Sequence, residues 1–183
     1  MLNLHGNKKI LILVPHEDDE INLMGGLLPL LVELGAEVQV CFLTNGDFAA
    51  HAAVRLQEAL ASLECLGIDR RQVYFLGYPD ASDVVDHSIY HASEPVLGKN
   101  GYYTYGCTMK QEYRMEKSKR HSLTNYAGLC EDLTELIIDI KPEIIFCTDI
   151  DGHHDHRLCS LTFEECIENI LQNNDLNTSP NYL

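Results

Sequence analysis

The chain has 183 residues, 45% of them apolar and 22% charged, which suits one soluble globular domain with a real core. Thirteen basic residues stand against 28 acidic ones, a formal charge of −15 at pH 7, which argues against phosphate-backbone binding and against anionic membrane surfaces, since both need clustered Lys and Arg. The amino-terminal apolar run is too short for a secretory h-region or a membrane span, and the seven cysteines form no C-x-x-C pair, so a cytoplasmic setting with reduced thiols is expected.

The run KILILVP (9–15) is continuously apolar, as a strand covered on both faces should be. A helix is expected over roughly 22–34, stopped by Gly35, with Pro29 calling for a late start or a kink. AEVQVCFLT (36–44) reads as the second strand. From 51 to 66, Ala52, Leu56, Ala59, Leu60, Leu63 and Leu66 share one helical face, ended by Gly67. QVYFLG (72–77) reads as a third strand, LCEDLTELIIDI (129–140) as a helix stopped by Lys141-Pro142, and EIIFCTD (143–149) as a fourth strand. A last helix is expected from about Arg157 to about Leu171. Residues 80–126, rich in tyrosine and glycine and without a core pattern, read as a functional loop or an insertion, and KSKR (117–120) within them as solvated. The spacing predicts one α/β domain over 1–183, a Rossmann-like three-layer sandwich with a mostly parallel sheet.

The polar clusters all follow strands: HEDDE (16–20), TNGD (44–47), GYPD (77–80) and DIDGHHDH (149–156). Each is therefore at a strand carboxyl end, the rim where open α/β sheets bind ligands, and an order 3-2-1-4 would set the two His/Asp clusters face to face. A helix amino terminus would stabilise one or two of the acids, Glu20 foremost, by about 0.3–1 kcal/mol each. It does not ask for a histidine three residues before an aspartate. Imidazoles with carboxylates and no thiolate suit zinc, or a related divalent ion such as Fe2+ or Mn2+. The H-E-x-x-H zincin pattern is absent, because Glu20 stands where its second histidine would fall.

Taken together, these motifs resemble the PIG-L or LmbE-like de-N-acetylase family, of N-acetylglucosaminyl deacetylase type. PHEDDE (15–20) is similar to its (P/A)-H-P-D-D-E motif and HHDH (153–156) to its H-x-D-H motif; TNGD, the R-x-x-E of Arg55 and Glu58, and FLGYPD (75–80) follow its order over about residues 9–160. The resemblance implies a zinc-dependent amide hydrolase that removes the acetyl group from an N-acetylated amino sugar or sugar conjugate. It implies His16, Asp19 and His156 as metal ligands and Asp18 as the general base. His153 would stabilise the oxyanion or protonate the leaving amine, Asp155 would orient a neighbouring imidazole, and Arg55 and Asp80 would lie near the sugar. An i,i+3 surface ion pair with Glu58 is the competing reading for Arg55. Glu17 and His154 replace prolines of the family motifs, and the chain ends 27 residues after His156, where family domains generally continue through a substrate-contacting portion. A metal- or sugar-binding module without turnover and a metallo-phosphohydrolase stand as alternatives. The implied partner is a small N-acyl sugar, with no nucleic acid and no membrane span; homo-oligomerisation is left open.

Overall fold

The computed structural model describes residues 6–48, 50–81, 88–173 and 181–182. Five strands form one parallel sheet in the order β3-β2-β1-β4-β5: β1 Lys9–Val14, β2 Glu37–Thr44, β3 Val73–Tyr78, β4 Ile144–Cys147 and β5 Asn181–Tyr182. The first four take the order that the spacing predicts, while β5 has no counterpart in the sequence reading.

Side chains alternate across a strand, and β1 feeds two cores. Ile10, Ile12 and Val14 pack with Leu28, Leu31, Leu56, Leu60 and Leu63 on one face, while Leu11 and Leu13 pack with Leu129, Leu133, Leu136, Leu158 and Phe163 on the other. Both faces of β1 are buried, so its run has no polar alternation. Each such side chain stabilises the fold by about 1.5–3 kcal/mol.

The helices on one face are α1 (Asp19–Met24), α2 (Leu28–Glu33) and α3 (Ala52–Cys65). The expected 22–34 helix is thus two short ones. Pro29 sits in the first turn of α2, where its missing N–H costs no hydrogen bond, and the chain breaks at Gly25-Gly26-Leu27 before it. The other face carries α5 (Tyr126–Ile140) and α6 (His154–Asn173). The Asn125 side chain caps α5 by accepting from the Gly128 N–H at 2.9 Å, and the helix ends on Lys141 at φ 53°, just before Pro142. Helix α6 starts three residues earlier than expected, so His154, Asp155 and His156 lie in its first turn and not in a loop.

The 80–126 stretch has more structure than its sequence suggests, although residues 82–87 lie outside the described residues. It contains α4 (Tyr113–Ser118), from which buried Arg114 reaches Asp132, Glu131 and Glu135 on α5. The KSKR cluster is exposed throughout, as expected, but only Lys119 and Arg120 lie outside a helix: Lys117 and Ser118 form the end of α4, and Lys117 pairs with Glu135 and Asp139. All seven cysteines are free thiols. Among the described residues, no helix is long and apolar enough to cross a membrane.

Candidate active site

Backbone hydrogen bonds bring the strand ends together. Thr148 N–H donates to Leu13 O, Thr44 N–H and its hydroxyl donate to Pro15 O, and Asn45 N–H donates to Tyr78 O. The segments after β1 and β4 therefore lie side by side, and HEDDE faces DGHHDH.

His16, in the turn after β1, is 6% exposed. Its Nδ1 lies 3.1 Å from Asp19 Oδ2, and its Nε2 lies 3.2 Å from Asp155 Oδ2 and 3.7 Å from Asp80 Oδ1. His156 mirrors this arrangement from α6, with Nδ1 2.7 Å from Asp151 Oδ2 and Nε2 3.4 Å from Asp19 Oδ2. Each imidazole thus has one nitrogen anchored on a carboxylate and the other turned to the same Asp19 oxygen. That is the pattern in which a second hydrogen bond orients a metal-ligating histidine. Zinc–ligand bonds near 2.0–2.1 Å put neighbouring atoms of a tetrahedral site about 3.3 Å apart. The 3.1 and 3.4 Å separations at Asp19 match two such edges, although the described groups whose ligand atoms all lie within 4.8 Å of one another are His16, His153 and His156, and His16, Asp80 and Asp155; the imidazole and carboxylate donors present are of the kind that suits a divalent ion.

His153 completes a triangle of rings, its centroid 4.8 Å from that of His16 and 4.9 Å from that of His156. One potential ligand atom from each of the three histidines lies within 4.8 Å of the others, as do atoms of His16, Asp80 and Asp155. The Asp155 N–H donates to His153 Nδ1 at 3.2 Å. With Nδ1 accepting, the neutral ring carries its proton on Nε2.

The electrostatics favour a cation. Burial lowers the His16 pKa, but hydrogen bonds to Asp155, Asp19 and Asp80 outweigh it and push the pKa up to about 11. Burial raises Asp19, yet His16 and His156 hold its carboxyl below the usual range. Burial pushes Asp155 up against the pull of His16, with Asp80 adding to the rise. Positive charge is thus demanded where the imidazoles and carboxylates meet, and a divalent ion can supply it in place of protons.

Asp18 and Arg55 form the opposite wall. Asp18 is the residue before α1, its side chain 62% exposed, and Arg55 Nη2 donates to its Oδ1 at 3.0 Å. Arg55 also donates to the Glu17 and Gly46 carbonyls and lies 3.6 Å from Glu17 Oε2. The competing Arg55–Glu58 ion pair is not formed; Arg55 on α3 reaches the β1 turn instead. A Cβ on Gly46, at φ 54°, would lie 2.4 Å from both Arg55 Nη1 and Glu17 Oε2, so this close approach requires glycine. Glu20 lies in the first turn of α1, but it is 1% exposed, and burial with Asp18 and Asp19 nearby pushes its pKa to about 7 despite its backbone N–H partners.

His16, Asp18, Asp19, Arg55, Asp80, His153 and His156 line one cleft of about 320 Å³ with Gly46, Phe48 and Ala50. A larger cavity of about 720 Å³ between β4 and α6 is mostly apolar and holds none of these residues. Three contributors escape the sequence reading. Asp151 orients His156, Phe48 flanks the cleft, and Asp47 accepts from the Asp80 N–H at 3.0 Å and the Tyr105 hydroxyl at 2.6 Å. Asp47 and Asp151 sit inside motifs already notable for their acids, but nothing local marks Phe48.

The fold and cleft define an α/β protein with an imidazole–carboxylate centre at the carboxyl rim of a parallel sheet. The chain belongs to the PIG-L family, described as GlcNAc-PI de-N-acetylase, whose model matches residues 11–167. No curated protein matches the sequence. Solved structures share the fold. The inhibitor-bound N,N'-diacetylchitobiose deacetylase of Pyrococcus horikoshii is 23% identical with a TM-score of 0.58, over 95% of this chain and 56% of that one. The conserved protein TT1542 of Thermus thermophilus is 18% identical with a TM-score of 0.57, over 97% and 63%. The 4-carboxy-2-hydroxymuconate hydratase GalB of Pseudomonas putida is 17% identical with a TM-score of 0.53, over 88% and 56%. The chain thus spans 56–63% of the length of these neighbours, and at such identities the likeness is one of fold.

Proposed function

We propose that the chain is a metal-dependent de-N-acetylase acting on an N-acetylated amino sugar or sugar conjugate, with zinc as the metal. The observation that carries this reading is Asp19 Oδ2 set 3.1 and 3.4 Å from two imidazole nitrogens whose rings are anchored by Asp155 and Asp151. We assign His16, Asp19 and His156 to the ion, a nitrogen-rich set without thiolate that suits zinc. When bound, the ion would polarise the acetamide carbonyl and lower the pKa of a water from 15.7 to about 7.

The chain's own residues supply the rest. Asp18 accepts the proton of the attacking water; Arg55 engages one of its oxygens and fixes its carboxylate on the cleft wall. His153, with its proton on Nε2, donates to the oxygen that becomes negative, and a donor of this kind is worth about 3–4 kcal/mol in the transition state. Asp155 holds His16, and Asp80, with Oδ1 3.7 Å from His16 Nε2, helps to hold it while bounding the cleft toward the sugar. Arg55 borders the same cleft and can donate to a sugar hydroxyl. The carboxylates of Asp18, Asp19 and Asp80 in the wall disfavour a phosphoryl substrate.

The test is acetate release from N-acetylglucosamine conjugates by zinc-loaded protein. Asp18→Asn should lower kcat by roughly 10²- to 10⁴-fold with zinc retained, whereas His156→Ala should lose the zinc. A loaded chain that releases no acetate, or an Asp18→Asn variant as fast as the original, would sink the reading.

A further inference from the structure

Two of the seven thiols meet outside the cleft. Cys147 ends β4 and Cys159 lies in the second turn of α6, and their sulfurs are 3.8 Å apart. Alternation along β4 turns Ile145 and Cys147 to the α6 side of the sheet, where Cys159 packs over β1 with its sulfur 3.7 Å from Leu13 O. Cys147 is half-buried and lines the cavity of about 720 Å³ between β4 and α6, whereas Cys159 is fully buried.

The segment between the two cysteines carries Asp151, His153, Asp155 and His156. Cys159 lies one turn beyond Asp155 and His156 and so shares their side of α6. Asp155 Oδ2 is 3.2 Å from His16 Nε2, and His156 Nε2 is 3.4 Å from Asp19 Oδ2. Both separations are within a few tenths of an ångström of the point, about 3.5 Å, at which a hydrogen bond is lost.

We propose that Cys147 and Cys159 are a modification site: hydrogen peroxide joins them in a reversible disulfide, and the bond draws the start of α6 away from its partners at the proposed ion site. The Cys147 sulfur, open to the cavity, attacks one peroxide oxygen; the O–O bond breaks, a first water leaves and a sulfenic acid remains. Burial holds the Cys159 thiol well above its ordinary pKa, which leaves this first step to Cys147. The Cys159 sulfur then attacks the Cys147 sulfur, the S–O bond breaks, and the hydroxyl departs with the Cys159 proton as a second water. The two thiols give up two electrons and the peroxide takes them.

A disulfide holds its sulfurs about 2.05 Å apart, so the pair must close by about 1.8 Å. Strand β4 is paired on both sides, by β1 and β5, so the helix moves and not the strand. A bond closed against the fold is strained and readily reduced, which suits a reversible modification and not a staple. The effect on the ion rests on the metal-dependent reading above; the bond itself does not.

Full-length protein treated with a small excess of hydrogen peroxide, quenched and then unfolded should titrate two fewer thiols than the seven of the reduced chain, with a mass lower by two hydrogens. Cys147→Ser and Cys159→Ala should each keep their remaining thiols and bind zinc as the reduced original does. The oxidised original should bind zinc roughly 10- to 100-fold more weakly in chelator competition, the size of effect expected when groups that orient metal-ligating histidines are lost, and dithiothreitol should restore the affinity. No loss of thiols in the original overturns the disulfide. So does the same loss in either variant, as a bond between the neighbouring Cys130 and Cys166 would give. Equal zinc affinity before and after oxidation overturns its hold on the ion site. Zinc bound in neither state leaves the bond standing and removes the ion site itself.

Discussion

The side chain of Glu17 has no exposed surface, and neither of its oxygens accepts a hydrogen bond from another described residue. Arg55 lies 3.6 Å away, yet burial wins and its pKa rises from 4.5 to about 8. A carboxyl group raised in the fold contributes stability in full below its unfolded value and loses it as pH rises to the folded value. Glu17 should therefore make the chelated protein lose stability between pH 4.5 and about 8, and nothing further above. At 1.36 kcal/mol per pKa unit the loss is on the order of 5 kcal/mol at most. Glu17→Gln keeps the shape without the ionisation, so its stability relative to the original should climb across that window in denaturant titrations. A constant difference would show that Arg55 keeps Glu17 charged. The proline of the family motif has no such group, which is why the motif alone gives no hint of this behaviour. His16, Asp19, His153, Asp155 and His156 are legible because each cluster of chemistry is contiguous in sequence. The grip of Asp151 on His156 and the approach of Asp80 to His16 arise only when the chain folds and separate segments meet.

At the level of elements, β1 to β4 are readable because strands buried on both faces need unbroken apolar runs. Helix starts are less so. Helix α6 takes in His154–His156 because Asp151 holds its start, accepting from the His153 N–H at 2.7 Å and lying 2.7 Å from His156 Nδ1, and α2 starts at Leu28 with Pro29 in its first turn, after the break at Gly25-Gly26-Leu27. The insertion shows no periodicity because ion pairs hold it to α5. Arg114 on α4, 5% exposed, donates to Asp132 through Nε at 2.6 Å, and the buried Tyr78 hydroxyl donates to the other Asp132 oxygen at 2.8 Å. Burial still leaves the Asp132 pKa raised, against the pull of Tyr78 and Arg114. Arg114→Met would leave that aspartate buried without its cation, a change that costs about 3–5 kcal/mol. For a chain of this size that is a fall in Tm of roughly 6–20 °C. Asp132→Asn in the same background should restore part of it. A shift below about 2 °C in differential scanning calorimetry would mean that α4 does not rest on this pair.

Across the whole molecule, three of the 28 acidic residues, Asp19, Asp80 and Asp155, come from the ends of three strands to surround one imidazole. Residues from the turn after β1 and from the start of α6 would share one ion, so binding it ties together segments about 140 positions apart in the chain. The folded state alone presents this set, and an ion bound only there stabilises it by mass action. At 100 times the dissociation constant the gain is about 2.7 kcal/mol, or roughly 5–10 °C in Tm for a domain of this size. Zinc should therefore raise the Tm of chelator-treated protein by that amount. His16→Ala should abolish the rise and Asp18→Asn should keep it, because one supplies a ligand and the other the base. An equal rise in the His16→Ala variant would place the ion elsewhere. No rise in the original protein would leave the carboxylates of this rim to be balanced by protons, as the strongly raised His16 pKa allows.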